Sequence, residues 1–226
     1  MANIRIKNDV TTPPMETRLI EVAIDLFGRD GMNAVGTRAI AEAAGTQMSA
    51  ITYHFGGKEA LYLACAQHIT ADMRERIAPL LELARRACTE SGGPSEARDA
   101  ILAMLGGFVG IMMNDDIAPA VRFIVREQMN PTPAFAILFE GGMQPVVERM
   151  DQLLQRIARH RLTHDQVRIH AVALVGQVLA FRFARATLMR ATGWETVGLS
   201  EIDAVRAIVV AHANAILSDL EKGAGS

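Results

Sequence analysis

The sequence predicts an all-α protein, with a small N-terminal helix-turn-helix unit followed by a larger helical bundle. Two observations carry this. Nearly every apolar segment repeats in steps of three and four residues, and none alternates as a strand would. Glycine- and proline-containing breaks then divide these segments into lengths typical of packed helices. The chain has 226 residues, half of them apolar and 21% charged, so there is ample material for a core. Its net charge of −2 excludes a general polycation, and any anion binding must come from a local patch.

Residues 1–14 read as a flexible arm. The first helix follows, with Leu19, Ala23, Leu26 and Phe27 on one face and Gly31 as its C-terminal glycine. Thr37 to Ala44 gives a short second helix stopped by Gly45, and Met48 to Phe55 a very short third. Helices this short cannot bury a face alone, so they must pack on the first as a three-helix unit over residues 15–57.

From Lys58 a long helix carries Leu61, Cys65, Ile69, Met73, Ile77 and Leu81, with a bend expected near Pro79. "ESGGPSE" is a loop. A glycine-rich apolar helix spans about 96–113 and another 118–129. "NPTPAF" is a break, because residues before proline leave the helical region. The next helix is expected over about 134–159, with an interruption possible at Pro145. Thr163 and Gln166 have capping-box spacing, starting a helix to about Ala191. Ser200 is expected to cap the last helix, which carries Ile202, Val205, Val209, His212 and Ile216. The expected total is about nine helices, and residues 58–222 form one ligand-binding and dimerisation domain.

The stretch "GTQMSAITYHFGGKEALY" holds the strongest functional signal. No acidic residue lies between Glu42 and Glu59. A helix entering the DNA major groove needs small or polar outer side chains and no carboxylate near phosphate. Ala50 and Ile51 can anchor the third helix inward. Thr46, Gln47, Met48, Ser49, Thr52, Tyr53 and His54 are left for the DNA side. Hydroxyls donate to phosphate oxygens, Gln47 can read a base edge, and Met48 can touch a thymine methyl. Lys58 opens the next helix, where free backbone N–H groups and a cation suit a phosphate. Thr37 opens the second helix with a hydroxyl, and Arg38 beside it can reach a base.

These residues carry a family resemblance. "ETRLIEVAIDLFGRDGMNAVGTRAIAEAAGTQMSAITYHFGGKEALY" resembles the N-terminal domain of the TetR family of transcriptional regulators, through its "A..LF...G", "T.R.IA..AG" and "YHF..KE.L" features. The resemblance implies that Thr37, Tyr53, His54 and Lys58 grip phosphates while Arg38, Thr46, Gln47, Met48 and Thr52 lie near bases. Gln47 stands where relatives often have a capping serine, and Thr52 where they often have an aromatic residue. "VREQMNPTPAF", with Phe139 and Pro145, resembles the CecR-like branch, whose members are repressors linked to drug sensitivity and efflux.

One helix-turn-helix makes too few contacts for operator specificity, and a dimer places two of them about 34 Å apart on a palindrome. Leu174, Val178, Phe181, Arg185 and Met189, with Ile202, Val205, Val209 and Ile216, give the last two long helices apolar stripes that could form a homodimer face. The same stripes also suit intramolecular core. In the middle helices, soft and aromatic side chains suggest a pocket for a small-molecule effector, with Phe108, Met112, Phe123 and Phe139 as candidate walls. Arg122 and Arg126 lie on an otherwise apolar helix and need either an internal carboxylate or an anionic ligand. Arg182 and Arg185 pose the same question.

No phosphate loop, GxSxG elbow or HExxH occurs, so no enzyme, cofactor or catalytic residue is expected. His160 and His164 are four apart, but Thr163 reads as a helix cap between them, so no metal site is expected. Cys65 and Cys88 are too few for a disulfide framework. No apolar run reaches the roughly 18–20 residues of a membrane span, and a soluble cytoplasmic protein is expected. The expected function is a repressor released from duplex operator DNA by an effector. A helical interaction module, or less plausibly a small-molecule-binding enzyme, is the alternative.

Overall fold

The computed structural model describes residues 13–88, 93–159 and 161–222. Residues 90–92 of the expected loop, residues 1–12 of the expected arm and His160 lie outside the described residues, and the rest of that loop from Pro94 is the start of α5. All regular structure among the described residues is helical. The helices are α1 (Met15–Asp30), α2 (Thr37–Ala43), α3 (Ser49–Phe55), α4 (Lys58–Ala87), α5 (Pro94–Met113), α6 (Ala118–Met129), α7 (Pro133–Leu138), α8 (Gln144–Ile157), α9 (His164–Phe183), α10 (Arg185–Thr192) and α11 (Leu199–Lys222). The chain divides into two compact units. One holds the residues up to His68 together with Pro119–Ala134, and the other holds Ile69–Ala118 with Phe135–Ser226. This differs from a division at residue 57, because α6 and the first turns of α4 fold with α1 to α3.

In the first unit Leu19, Ala23 and Phe27 of α1 are wholly buried, as are Ile40 of α2, Leu61 and Cys65 of α4 and Phe123 of α6. The unit is organised around Tyr62. Its ring stacks on Phe123 at 4.5 Å and 30° and meets Phe27 edge-on at 5.0 Å and 71°. Its hydroxyl donates to Glu127 at 2.7 Å. Glu127 is 1% exposed, and Thr132 satisfies it further through its backbone N–H at 3.0 Å and its hydroxyl at 2.9 Å. A Cβ at Gly28 would sit 3.0 Å from the Pro119 carbonyl oxygen and 3.1 Å from Arg122 Cβ, so a side chain there would crowd α1 against α6. Gly31 ends α1 at φ +84° as expected, its N–H bonded to the Phe27 carbonyl.

The second unit is built on α5, which packs against α8, α9 and α11. The expected capping box is present, with Gln166 N–H on the Thr163 hydroxyl at 3.2 Å and Thr163 N–H on Gln166 Oε1 at 2.9 Å. The expected single helix from Thr163 to about Ala191 is instead α9 and α10, bent by 69°. The reason is electrostatic. Arg182 and Arg185 flank the break and donate to the Asn114 and Met113 carbonyls, each at 3.2 Å, at the negative end of α5. Arg185 also pairs with Asp115 at 2.9 Å. The helix expected over 134–159 is divided by a π-helical segment at Phe139–Met143, just before Pro145. α4 continues through Pro79 to Ala87. Ser200 lies inside α11, and the turn before it is closed by Glu201, which accepts from Gly198 N–H at 2.8 Å.

Four residues of the stripes expected to face a second copy are this chain's own core, and the other five are half-buried. Leu174, Val178, Val205 and Val209 are no more than 3% exposed. The opposite faces carry the unburied apolar residues, with Ile169, Val172 and Phe183 on α9 and Ile208 on α11 at least 50% exposed. Helical periodicity marks an apolar face without saying whether the chain or a partner covers it.

Removing the Phe123 ring leaves a void between α1, α4 and α6, so Phe123→Ala is expected to cost about 3–5 kcal/mol in urea unfolding. Burial first, then the hydrogen bond to Glu127, push the Tyr62 hydroxyl well above the ordinary tyrosine range. Tyr62 therefore stays neutral where the unfolded chain ionises. Its contribution is complete below about pH 10 and is lost progressively above it. Tyr62→Phe should lose less stability than the parent between pH 8 and pH 11.

Candidate nucleic-acid interface

The turn between α2 and α3 is tight because Gly45 adopts φ +67° and Thr46 N–H bonds the Ala41 carbonyl at 2.9 Å. Only Ile51 of α3 is fully buried. Anchored there, the helix turns Ser49, Thr52, Tyr53 and His54 outward, with Tyr53 84% exposed. Gln47 and Met48 are also exposed and Thr46 is half-buried. The Tyr53 and His54 rings meet edge-on at 5.1 Å. Gly56 at φ +81° closes α3, with its N–H on the Thr52 carbonyl, and Gly57 leads directly into α4 at Lys58. Lys58 is half-buried and Glu59 follows it in the same turn.

On α2, Thr37 is half-buried and Arg38 is 85% exposed at its side chain. Arg38 Nε donates to Glu42 at 2.9 Å. That bond occupies one nitrogen and leaves both terminal nitrogens free for the parallel bonds that a guanine edge accepts. The exposed edge of α3 carries hydroxyl, amide and imidazole groups and no acid, and Arg38, paired with Glu42, and Lys58, followed by Glu59, stand on the helices before and after it. It offers no nucleophile–base pair, and among the described residues no group of three His, Cys, Asp or Glu side chains could hold a metal ion.

The residues expected at an effector site divide differently. Arg122, Phe123 and Arg126 lie in the first unit, with their groups already engaged. Arg122 pairs with Asp25 at 2.7 Å. Arg126 donates to the Gly28 carbonyl at 2.9 Å and to that of Arg29, capping the negative end of α1. Phe123 is stacked on Tyr62. The internal partners left open by the sequence are thus a carboxylate and two backbone carbonyls. Glu127 serves Tyr62 and Thr132.

In the second unit a narrow apolar cavity has Ile77, Leu80 and Leu81 of α4, Met104, Leu105 and Phe108 of α5, Val146 and Met150 of α8 and Val175 of α9 as its walls. Its room for the centre of a water-sized sphere is about 20 Å³, roughly one or two waters. Of the four candidate walls Phe108 lines it, and so does Met104 of the same helix, part of the soft, aromatic cage the sequence suggested. Met112 is buried elsewhere in α5, and Phe139 is 40% exposed in the π-helical segment. The sequence reading placed the α4 and α8 wall residues only as ordinary helix faces.

The fold and this face define a helix-turn-helix DNA-binding regulator. Residues 19–65 match the bacterial regulatory proteins of the tetR family, and residues 97–220 match the C-terminal domain of the HTH-type transcriptional dual regulator CecR. The chain belongs to the TetR family of transcriptional regulators, in the branch with the CecR-type C-terminal domain. It is 34% identical to the dual regulator CecR of Shigella flexneri over 91% of this chain and 92% of that protein. It is 42% identical to the regulatory protein RaaS of Mycobacterium tuberculosis (strain ATCC 25618 / H37Rv) over 34% of this chain and 39% of that one. A TetR-like regulator from Rhodococcus sp. RHA1 shares the fold at a TM-score of 0.62 and 22% identity, covering 92% and 98% of the two chains. AibR, in a crystal structure with isovaleryl coenzyme A and operator DNA, does so at a TM-score of 0.65 and 12% identity, covering 88% and 97%. Family membership agrees with the expectation of a regulator rather than an enzyme. No single helix among the described residues is long and apolar enough to cross a membrane.

Lys58→Ala is expected to weaken binding to every duplex by a similar factor and to lower the salt slope by about one. Arg38→Ala should cost about 1–3 kcal/mol at one operator position and relax the preference there. Anisotropy titrations over a set of single-base operator variants read both.

Proposed function

We propose that this chain is a cytoplasmic repressor that binds a palindromic operator as a homodimer and releases it when an apolar small molecule enters the second unit. The observation that carries this reading is the exposed, carboxylate-free edge of α3 beside Arg38 and Lys58. Thr37, Tyr53, His54 and Lys58 would hold phosphates, while Arg38, Thr46, Gln47, Met48 and Thr52 would lie near bases, with Ser49 at the rim. The exposed apolar faces of α9 and α11 support the homodimer. Ile169, Val172, Phe183 and Ile208 are large apolar side chains on two long neighbouring helices, the kind of surface that a second copy covers.

The cavity supports an uncharged, apolar effector. None of its wall residues is charged or carries a hydrogen-bonding side chain, so a charged ligand would be desolvated there without a partner. At its present size the cavity admits a drug-sized molecule only if its walls separate. A ligand that binds the separated state better draws the protein toward it. A helical interaction module without DNA binding would keep the bundle but not the salt dependence.

For a DNA-reading protein, log affinity should fall linearly with log salt at about −0.9 per phosphate contacted, and an affinity independent of salt would favour the interaction module. Val146→Phe puts a permanent occupant into the cavity. It is expected to weaken operator binding about tenfold while leaving the salt slope unchanged, in anisotropy titrations of a duplex selected by the parent protein.

A further inference from the structure

Residues 31–58 contain a single acidic residue, Glu42. It sits on α2, about one helical turn after Arg38, and its carboxylate accepts from Arg38 Nε at 2.9 Å. Both side chains are exposed, 85% for Arg38 and 66% for Glu42. Helix stability does not account for this pair. Arg38 lies in the first turn of α2 and Glu42 in the last, so each charge stands at the helix end whose dipole disfavours it. An acid four residues before a base stabilises a helix better than this reverse order. Exposed pairs of this kind contribute little to stability in any case. On a face that meets phosphates, a carboxylate also weakens binding to every duplex. The pair therefore opposes both the helix dipole and general DNA affinity, which leaves the choice of what Arg38 binds as its use.

We infer that Glu42 is a positioning residue that makes Arg38 specific for one base, while its charge lowers the affinity for every other duplex. This rests on the operator-binding reading above and deepens it. A guanidinium fits a phosphate and a guanine edge alike. An unrestrained arginine on a DNA-binding helix therefore gains affinity through phosphates without any sequence preference. Glu42 restricts that choice in two ways. Its bond to Nε fixes the plane of the guanidinium and leaves the two terminal nitrogens, which match the paired acceptors O6 and N7 of guanine. Its charge offsets that of Arg38, so the attraction to phosphates is weakened at this point. The bonds to a base edge are short and directional, and they survive that offset. At the matching base Arg38 makes both bonds and outweighs the repulsion between carboxylate and phosphate. At any other base the repulsion stands alone.

The test measures affinity by anisotropy for three kinds of duplex, with thermal unfolding in parallel. They are one selected by the parent protein, its variants at the base pair where Arg38→Ala relaxes the preference, and a scrambled duplex. Glu42→Ala is expected to bind the scrambled duplex about threefold more tightly than the parent and to discriminate at the Arg38 base pair about fivefold less. Glu42→Gln keeps an acceptor for Nε and removes the charge. It should show the same gain on the scrambled duplex and recover most of the discrimination. In an Arg38→Ala background, Glu42→Ala should change discrimination by less than about twofold. Glu148→Ala removes the same charge from α8 and should bind the scrambled duplex as the parent does. A purely structural role would instead lower the unfolding temperature and weaken binding to all duplexes together, and that result would overturn the inference. So would unchanged discrimination in Glu42→Ala, no recovery in Glu42→Gln, an equal gain from Glu148→Ala, or an Arg38→Ala variant that relaxes no base pair. A parent protein that selects no duplex overturns the operator reading itself, and this inference with it.

Discussion

The first unit depends on one aromatic ring and one buried carboxylate. Tyr62 is clasped between Phe27 and Phe123 and fastened through its hydroxyl to Glu127. A buried carboxylate is costly unless its hydrogen bonds are made, and Tyr62 and Thr132 make them. Burial with such partners specifies geometry more than it adds stability. Here the geometry is the crossing of α1, α4 and α6. Arg122 on Asp25 and Arg126 on the end of α1 hold the same crossing at its rim, where exposed pairs contribute little on their own. Because α3 has only Ile51 fully buried, it depends on this scaffold for its position. On the proposed reading, the edge that meets DNA is held in place by residues of the unit's core.

How much of this the sequence revealed varies with the range of the interaction involved. The tight turn at Gly45, the end of α1 at Gly31 and the Thr163–Gln166 box were legible because each is set by a few neighbouring residues. The outward edge of α3 was legible for the same reason, since one buried isoleucine in seven residues determines which side faces out. The placement of α6 was not. Arg122 and Arg126 interrupt an apolar helix, and the sequence left them either an internal partner or a ligand. The partners are Asp25 and the Gly28 and Arg29 carbonyls, nearly a hundred residues away in the chain. Nothing local distinguishes a carbonyl cap from an anionic effector. For a related reason the sequence did not separate core from outward face on the stripes of α9 and α11. Leu174 and Val178 point inward while Ile169 and Val172 point outward, and both sets have helical spacing.

With both arginines engaged within the first unit, the chemistry of the proposed effector site changes. A cage with two guanidiniums would select anions, whereas the cavity in the second unit is lined by apolar side chains alone. Two of the glycines in this region serve close approach rather than empty volume. A Cβ on Gly107 would overlap Leu80, and one on Gly141 would overlap Thr70. The second unit is therefore tightly packed at the places where an occupant must make room. Interiors of that kind respond by shifting whole elements rather than by yielding locally.

The most direct measurement is amide hydrogen exchange, with and without a duplex that the protein itself selects from a random pool. The account predicts slowed exchange at residues 37–38 and 46–58, while the amides around Tyr62 and Glu127 are already slow before DNA is added. Unchanged exchange over 46–58, with new protection confined to the second unit, would contradict it.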